Sequence, residues 1–483
     1  MSMRGRQAGE KSQRKQKTLV RSEGVSRFVG NSLLIFLLVL SIPGLLCAQQ
    51  TQQPSPMTLQ EAVNIALEKN PERKAALADT RAASADVREA RSFLLPRVAF
   101  SETATGGNDP VHVFGSKLRQ QRFTTADFAL NFLNTPTPFG NFATRFGGTW
   151  NLFDSFGTWR AVNRAERVKD AAGHQLERTD QEIIFHVVDS FYGALLAKKQ
   201  LEIAEASMKT AQAIQNRSKD RFESGVVVES DLLSAQVRLA IRKQEFIRAQ
   251  NYLALARAQL GTSIGISTEK DFEPGEALEE RNLPAMTLEE AEKKAVELRP
   301  DLKRIRSEEA AQQHSVSVAK SSFGPRVNAF AGWEADNPTF LAGGGGNNWL
   351  AGIEVKVDLF DGGAKKARLS RERAMQEKVA AAKEMATDAT RLEVRRAYYE
   401  LDSARQQVEV ARATIAASQE SLRINQNRYD SGLSTITDLL AAEETARRTQ
   451  AEYWEAVYRY HTGYANLELA SGTLNPQSPL VTQ

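Results

Sequence analysis

Cysteine is all but absent from the 483 residues: Cys47 is the one thiol. If it leaves with a cleaved leader, disulfides, thiolate metal sites and thiol catalysis go with it. Histidine is scarce too. His112, His174, His186, His314 and His461 are scattered without an i,i+4 pair, so a zinc-type site lacks its ligand spacing. No metal or other cofactor is expected. No Gly-x-Ser-x-Gly elbow occurs, and the glycine run 343–346 is not followed by Gly-Lys-Ser/Thr, which removes the nucleophile and phosphate-loop readings. Proline is missing from 158–222 and from 364–429, two stretches that nothing in the sequence breaks.

The apolar run 33–40 is too short for a permanent span, which needs roughly 20 apolar residues. It follows Arg4, Arg6, Lys11, Arg14, Lys15, Lys17, Arg21 and Arg27 and precedes Pro43 and small residues. Residues 1–48 therefore read as a secretory signal peptide cut after Ala48. A lipid anchor would use Cys47, but Leu46 stands where a lipobox takes a small residue. The leader carries eight basic and two acidic residues, so removing it turns the formal charge of +4 into about −2. Nucleic acid loses its electrostatic attraction for such a chain.

What remains is written twice. Met-Thr-Leu-Gln-Glu-Ala at 57–62 answers to Met-Thr-Leu-Glu-Glu-Ala at 286–291, and Pro-Arg-Val at 96–98 to the same three residues at 325–327. Further on, Leu-Phe-Asp at 152–154 answers to 359–361, and Arg-Phe-Glu-Ser-Gly at 221–225 to Arg-Tyr-Asp-Ser-Gly at 428–432. The offset falls from 229 to 207 between these pairs, so the first copy holds 22 extra residues between Pro96 and Asn151. The copies are set at 49–263 and 287–472, joined by a linker at 264–286, with a disordered tail at 473–483.

Each copy reads as helix, β-hairpin, very long helix, tight turn, helix. Residues 58–93 and 287–321 are alanine-rich helical stretches with Thr58 and Thr287 in capping position. Period-two patterns predict strands at about 98–104, 143–153, 327–335 and 349–360. Long helices are expected at about 158–222 and 364–429, with coiled-coil seams through Ala204, Met208, Ala211, Gln215 and Ser218, and through Leu401, Ala404, Val408, Ala411, Ile415, Ser418, Leu422, Asn425 and Tyr429. About 65 residues at 1.5 Å rise give a rod near 100 Å long. Four strands cannot close a membrane barrel, whose minimum is about eight, so subunits must pool them, and three chains supply twelve. The glycine- and aromatic-rich segment 105–142 and the short loop 343–348 suit exposed hairpin loops. Trp150, Trp159, Trp333 and Trp349 suit an interfacial girdle, or ordinary packing at the strand ends.

Together these features resemble the TolC-type outer-membrane efflux protein family, the outer membrane factors. The most specific element is the turn aromatic-x-x-Gly-x5-Asp-x-Leu, present twice at matching positions. The resemblance implies a mainly α fold with a small β part: a duplicated helix–β-hairpin–helix repeat, a trimeric twelve-strand outer-membrane β-barrel and a twelve-helix coiled-coil tunnel in the periplasm. It implies a duct and not an enzyme. Its partners would be outer-membrane lipid, a second and third copy of the chain, a periplasmic membrane-fusion (adaptor) protein and an inner-membrane pump of RND or ABC type. Small molecules or proteins would pass through it to the exterior.

The resemblance also assigns residues. The two turns would be periplasmic tips, placing adaptor contact at Ser224, Gly225, Val226, Ser431, Gly432 and Leu433. Each of these could equally serve helix capping alone. The constriction of the duct would fall at Tyr429, Asp438 and Asp231. Ser434 occupies a place where the family often has arginine, and Ala441 replaces a second aspartate. Three Asp438 carboxylates around one axis would repel, favour cations and raise their own pKa. The alternative is a first-turn acid that answers a helix dipole.

Overall fold

The computed structural model describes residues 56–266, 273–341 and 346–482. The expected signal peptide with Cys47, and loop residues 342–345, lie outside them. The first copy runs β1 (Pro56–Met57), α1 (Leu59–Lys69), α2 (Pro71–Ser92), β2 (Arg97–Gly107), α3 (Pro110–Arg119), a 3-10 turn (Thr125–Phe128), α4 (Leu130–Asn134), β3 (Phe139–Phe153), α5 (Gly157–Glu223) and α6 (Glu229–Ile264). The second runs β4 (Glu273–Pro274), α7 (Leu288–Leu298), α8 (Pro300–Ser321), β5 (Arg326–Asn337), β6 (Asn347–Lys356), α9 (Ala364–Asp430), α10 (Ile436–Ser471) and α11 (Pro479–Thr482). Paired helices match in length: α5 and α9 have 67 residues each, α6 and α10 have 36.

Local chemistry sets the helix ends. Thr58 with Glu61, and Thr287 with Glu290, form reciprocal capping boxes that begin α1 and α7. The stretches 58–93 and 287–321 are each two helices and not one, because Pro71 and Pro300 can open a helix but cannot continue one. The repeated Leu-Phe-Asp explains itself at the long helices. The Asp154 carboxylate accepts the amide of Thr158 at 2.8 Å, and Asp361 accepts that of Lys365 at 2.8 Å. The chain turns here through the left-handed region, with glycines at 362 and 363 but Ser155 and Phe156 at the equivalent places.

The four long strands form one antiparallel sheet in the order β2-β3-β5-β6, with β3 against β5 joining the two copies. Its outer strands, β2 and β6, have no further partner among the described residues. Alternation gives the sheet two unlike faces. Val98, Phe100, Phe142, Phe146, Trp150, Trp333, Trp349, Ile353 and Val355 share one register set, interrupted by Glu102, Thr144, Asn337 and Asn347; Arg97, Ser101, Thr103, Asn141, Arg145, Asn328, Glu334, Asp336, Asn348 and Glu354 share the other, interrupted by Phe330 and Leu350. The tryptophans stay exposed on the apolar side, and Trp333 lies opposite Trp349. No described helix is long and apolar enough to cross a membrane.

The largest core surrounds the middle of α5, where Ile183, Ile184, Val187, Val188, Phe191 and Leu195 meet α1, the end of α6, and α10. The linker returns to this core: β4 pairs in parallel with β1, and Leu278 and Leu283 are buried. Two expectations need correction. The tail is packed and not disordered, because Leu474, Leu480 and Val481 insert into the same core. Segment 105–142 does connect the two hairpin strands and is largely exposed, but it is more than a loop: β2 and β3 continue into it, and α3, the 3-10 turn and α4 fill what lies between. The seam on α9 lies where the heptads put it, with Ala404, Val408, Ser418 and Tyr429 buried. On α5 alternate positions shift by one residue: Ala204, Ser207, Ala211, Ile214 and Ser218 are buried, while Met208 and Gln215 are partly exposed.

Candidate functional site

The two hairpin tips are nearly identical in construction. After α5, the amide of Val226 reaches back to the Arg221 carbonyl at 2.9 Å while Gly225 adopts φ +74°. After α9, Leu433 reaches Arg428 at 2.8 Å across Gly432 at φ +73°. Both are Schellman closures, in which a glycine takes the left-handed residue. Ser224 and Ser431 turn their hydroxyls onto the carbonyls of Asp220 and Asn427, at 2.8 and 2.9 Å. All six expected tip residues are exposed, and Val226 and Leu433 project apolar side chains into solvent.

The expected constriction residues divide. Asp438 is the third residue of α10 and forms a capping box with Thr435: its carboxylate accepts from the Thr435 amide at 3.1 Å, the Thr435 hydroxyl at 2.7 Å and the Ser434 hydroxyl at 3.2 Å. The bonds from the Thr435 side chain and backbone, and then from Ser434, hold its carboxyl below the usual carboxylate range. Within one protomer this is the reverse of the shift expected from three facing carboxylates. Asp231 is the equivalent residue of α6, but Val228 stands where Thr435 would be and offers no side-chain cap. Tyr429 is buried with Ile214, Ala235, Ile436, Leu439 and Leu440. Its hydroxyl lies 3.2 Å from that of Ser218.

Residues without a role at the level of sequence, where Glu443 and Glu444 stand only as acids near Ala441, tie the first hairpin to the second. Arg217 donates from Nη1 to both carboxylate oxygens of Asp430, at 2.8 and 2.9 Å. Arg221 stacks 4.9 Å above the Tyr429 ring and donates to the Tyr429 carbonyl. Higher up, Arg242 of α6, 1 % exposed, bonds Glu443 at 2.7 Å, Glu444 and Glu245. Glu443 also receives the hydroxyl of Ser207 from α5. Burial opposes the charge on Arg242, but the hydrogen bonds from Glu443, Glu444 and Glu245 outweigh it and raise its pKa. Burial likewise opposes the charge on Glu444, and Arg447 and Arg242 overcome it to hold its carboxyl down at about 2. The sequence did hold a signal: Arg242 continues the spacing of Ala235 and Leu239, and Glu443 that of Ile436 and Leu440, so charges occupy seam positions that should be apolar.

An open sheet with one apolar face, continued by unbroken helices of about 100 Å and ending in small-residue tips, is the protomer of a membrane duct. The family of outer membrane efflux proteins matches at residues 62–266 and 292–473, and the chain belongs to it. It is similar to protein CyaE of Bordetella pertussis, 25% identical over 87% of this chain and 83% of that one. It also resembles the alkaline protease secretion protein AprF of Pseudomonas aeruginosa, 23% identical over 86% and 85%. Among solved structures, the Campylobacter jejuni CmeC outer membrane channel superposes with a TM-score of 0.74 at 16% identity, covering 87% of each chain. The protein is thus a non-enzymatic exit duct of the outer membrane, extending into the periplasm and serving efflux or type I secretion.

Proposed function

We propose that the duct is a homotrimer in which β2 of one chain pairs with β6 of the next, giving a twelve-strand barrel above a twelve-helix tunnel. The observation that carries this is the open sheet. Its two edges, unpaired among the described residues, and its exposed apolar face cannot meet lipid unless closed by other strands. The directions agree: β2 and β6 run opposite ways in the sheet, so their pairing between chains continues the antiparallel order. The tips Ser224, Gly225, Val226 and Ser431, Gly432, Leu433 then form the docking rim for a periplasmic adaptor, to which exposed Val226 and Leu433 offer apolar contact. Asp438 stands at the first turn beside that rim, where three copies converge on the axis and favour cations. The pump beneath is of RND or ABC type.

The test is single-channel conductance of the detergent-purified protein in a planar bilayer. A small cation-selective current, blocked by a trivalent cation from the periplasmic side, is expected from a trimer that dissociates on heating. Asp438→Asn keeps an oxygen for Thr435 while removing the charge, so it separates capping from electrostatics. The block should weaken at least about tenfold in this variant. Unchanged block would sink the assignment of Asp438, and a monomeric conducting species would sink the trimer.

A further inference from the structure

The segment that holds the 22 extra residues of the first copy is pinned to the sheet. Residues 108–138 join β2 to β3, whereas 338–346 suffice to join β5 to β6. The longer segment has a core of its own: Phe123 stacks edge-on with Phe114 at 4.8 Å and with Phe128 at 5.1 Å, and Lys117 pairs with Asp127 at 2.6 Å. That pairing and the Thr124 bonds hold the Asp127 carboxyl down at about 2. The C-terminal end of α3 is fixed to the sheet. Gln120, 2 % exposed, donates to the Asn141 side chain at 2.8 Å and to the carbonyls of Gly140 and Asn337 at 3.0 and 3.2 Å. Arg119 bonds Glu334 at 3.0 Å, and Asn141 bonds Asp336. Gly346 closes the other side, where any Cβ would fall 2.1 Å from the Arg119 carbonyl oxygen.

The face of attachment decides where the segment lies. Asn141, Glu334 and Asp336 belong to the polar register set of the sheet, opposite the exposed Phe100, Phe146, Trp333 and Trp349. In a closed barrel the apolar set faces lipid and the polar set lines the lumen. We propose that residues 108–138 form a size filter fixed inside the outward mouth of the duct, three copies of which narrow the exit for small solutes. The inference rests on the trimeric barrel proposed above. It assigns selectivity to the exit as well as to the periplasmic end.

Ala99 lies on the same polar face of β2, one same-face position nearer the helices than the row of Ser101, Arg145 and Glu334 to which Arg119 is bonded. Ala99→Cys puts a thiol there, and whole cells can be treated from outside with a small sulfonated maleimide or a long polyethylene-glycol maleimide. The small reagent should label the thiol readily and the long one at least about tenfold more slowly. Replacing 108–138 with a short Gly-Asn-Gly turn should abolish that difference. Arg119→Ala with Gln120→Ala, which leaves the segment present but unpinned, should reduce it. Equal labelling of the untrimmed chain by both reagents overturns the filter, whether or not the trimmed chain folds. Trimer formation is read separately from heat-dissociable migration, so its loss in the untrimmed chain would refute the barrel and not the filter alone.

Discussion

Arg242 and His461 place ionisable groups where burial works against them, with opposite solutions. Arg242 stays charged because three carboxylates surround it. Removing the arginine strands Glu443, 3 % exposed. Arg242→Ala should therefore cost about 3–5 kcal/mol, whereas Arg242→Met combined with Glu443→Leu should lose far less; denaturant melts of the purified protein distinguish the two. His461 stays neutral. It is fully buried, stacked 4.5 Å from the Tyr192 ring, with Nε2 2.8 Å from the Glu279 carbonyl. Burial pushes its pKa down to about 4, helped by Arg281 and opposed by that carbonyl. The unfolded imidazole takes a proton near 6.5 that the folded ring refuses. Its contribution is thus complete above about pH 6.5 and lost as pH falls toward 4, a difference of about 3 kcal/mol. His461→Gln should flatten the fall in melting temperature between pH 7 and 5, and an unaltered slope would refute the assignment. Arg242 was legible only as a charge at a seam spacing, and His461 only as a scattered histidine, because burial is a tertiary property that spacing hints at without fixing.

Helices here end against one another through glycine. Gly265 ends α6 at φ +77°, and Gly472 ends α10 at φ +74°. A Cβ on the first would lie 2.7 Å from the Asn70 backbone, and on the second 2.8 Å from that of Arg299. Both neighbours are the residues that break α1 from α2 and α7 from α8, so each glycine seats a long helix in the kink of a short pair. Gly472→Ala combines a left-handed penalty of about 1–2 kcal/mol with this collision. It should lower thermal stability by more than Ala substitution at Gly225, whose surroundings are open. A comparable effect at the two sites would refute the contact. The existence and type of the long helices and strands were legible because duplication repeats each signal. The kinks were legible in principle, since Asn-Pro and Arg-Pro disfavour helix before the proline, but alanine-rich flanks hid them. The short helices of the insertion gave no usable periodicity, and three apolar residues in a polar tail gave no warning that they pack.

Across the whole molecule, the two copies differ in length where the strands turn and agree where the helices run. The insertion adds residues to one hairpin without touching α5 or α9, which remain 67 residues each. Deleting seven residues from α9 and a matching seven from α10 would withdraw one tip by about 10 Å. That would separate Arg217 from Asp430 and Arg221 from Tyr429. Making the same deletion in α5 and α6 as well should restore both contacts. Export from cells is expected to fail with the first deletion and to recover, at least in trimer assembly, with the second; equal behaviour of the two would show that the tips need not be level. A gene of this kind can therefore change the distance its product spans only by editing four places at once, in steps of a heptad. The depth of the compartment it crosses is recorded in it as a duplicated standard of length, which resists drift because an error in either record is exposed by the other.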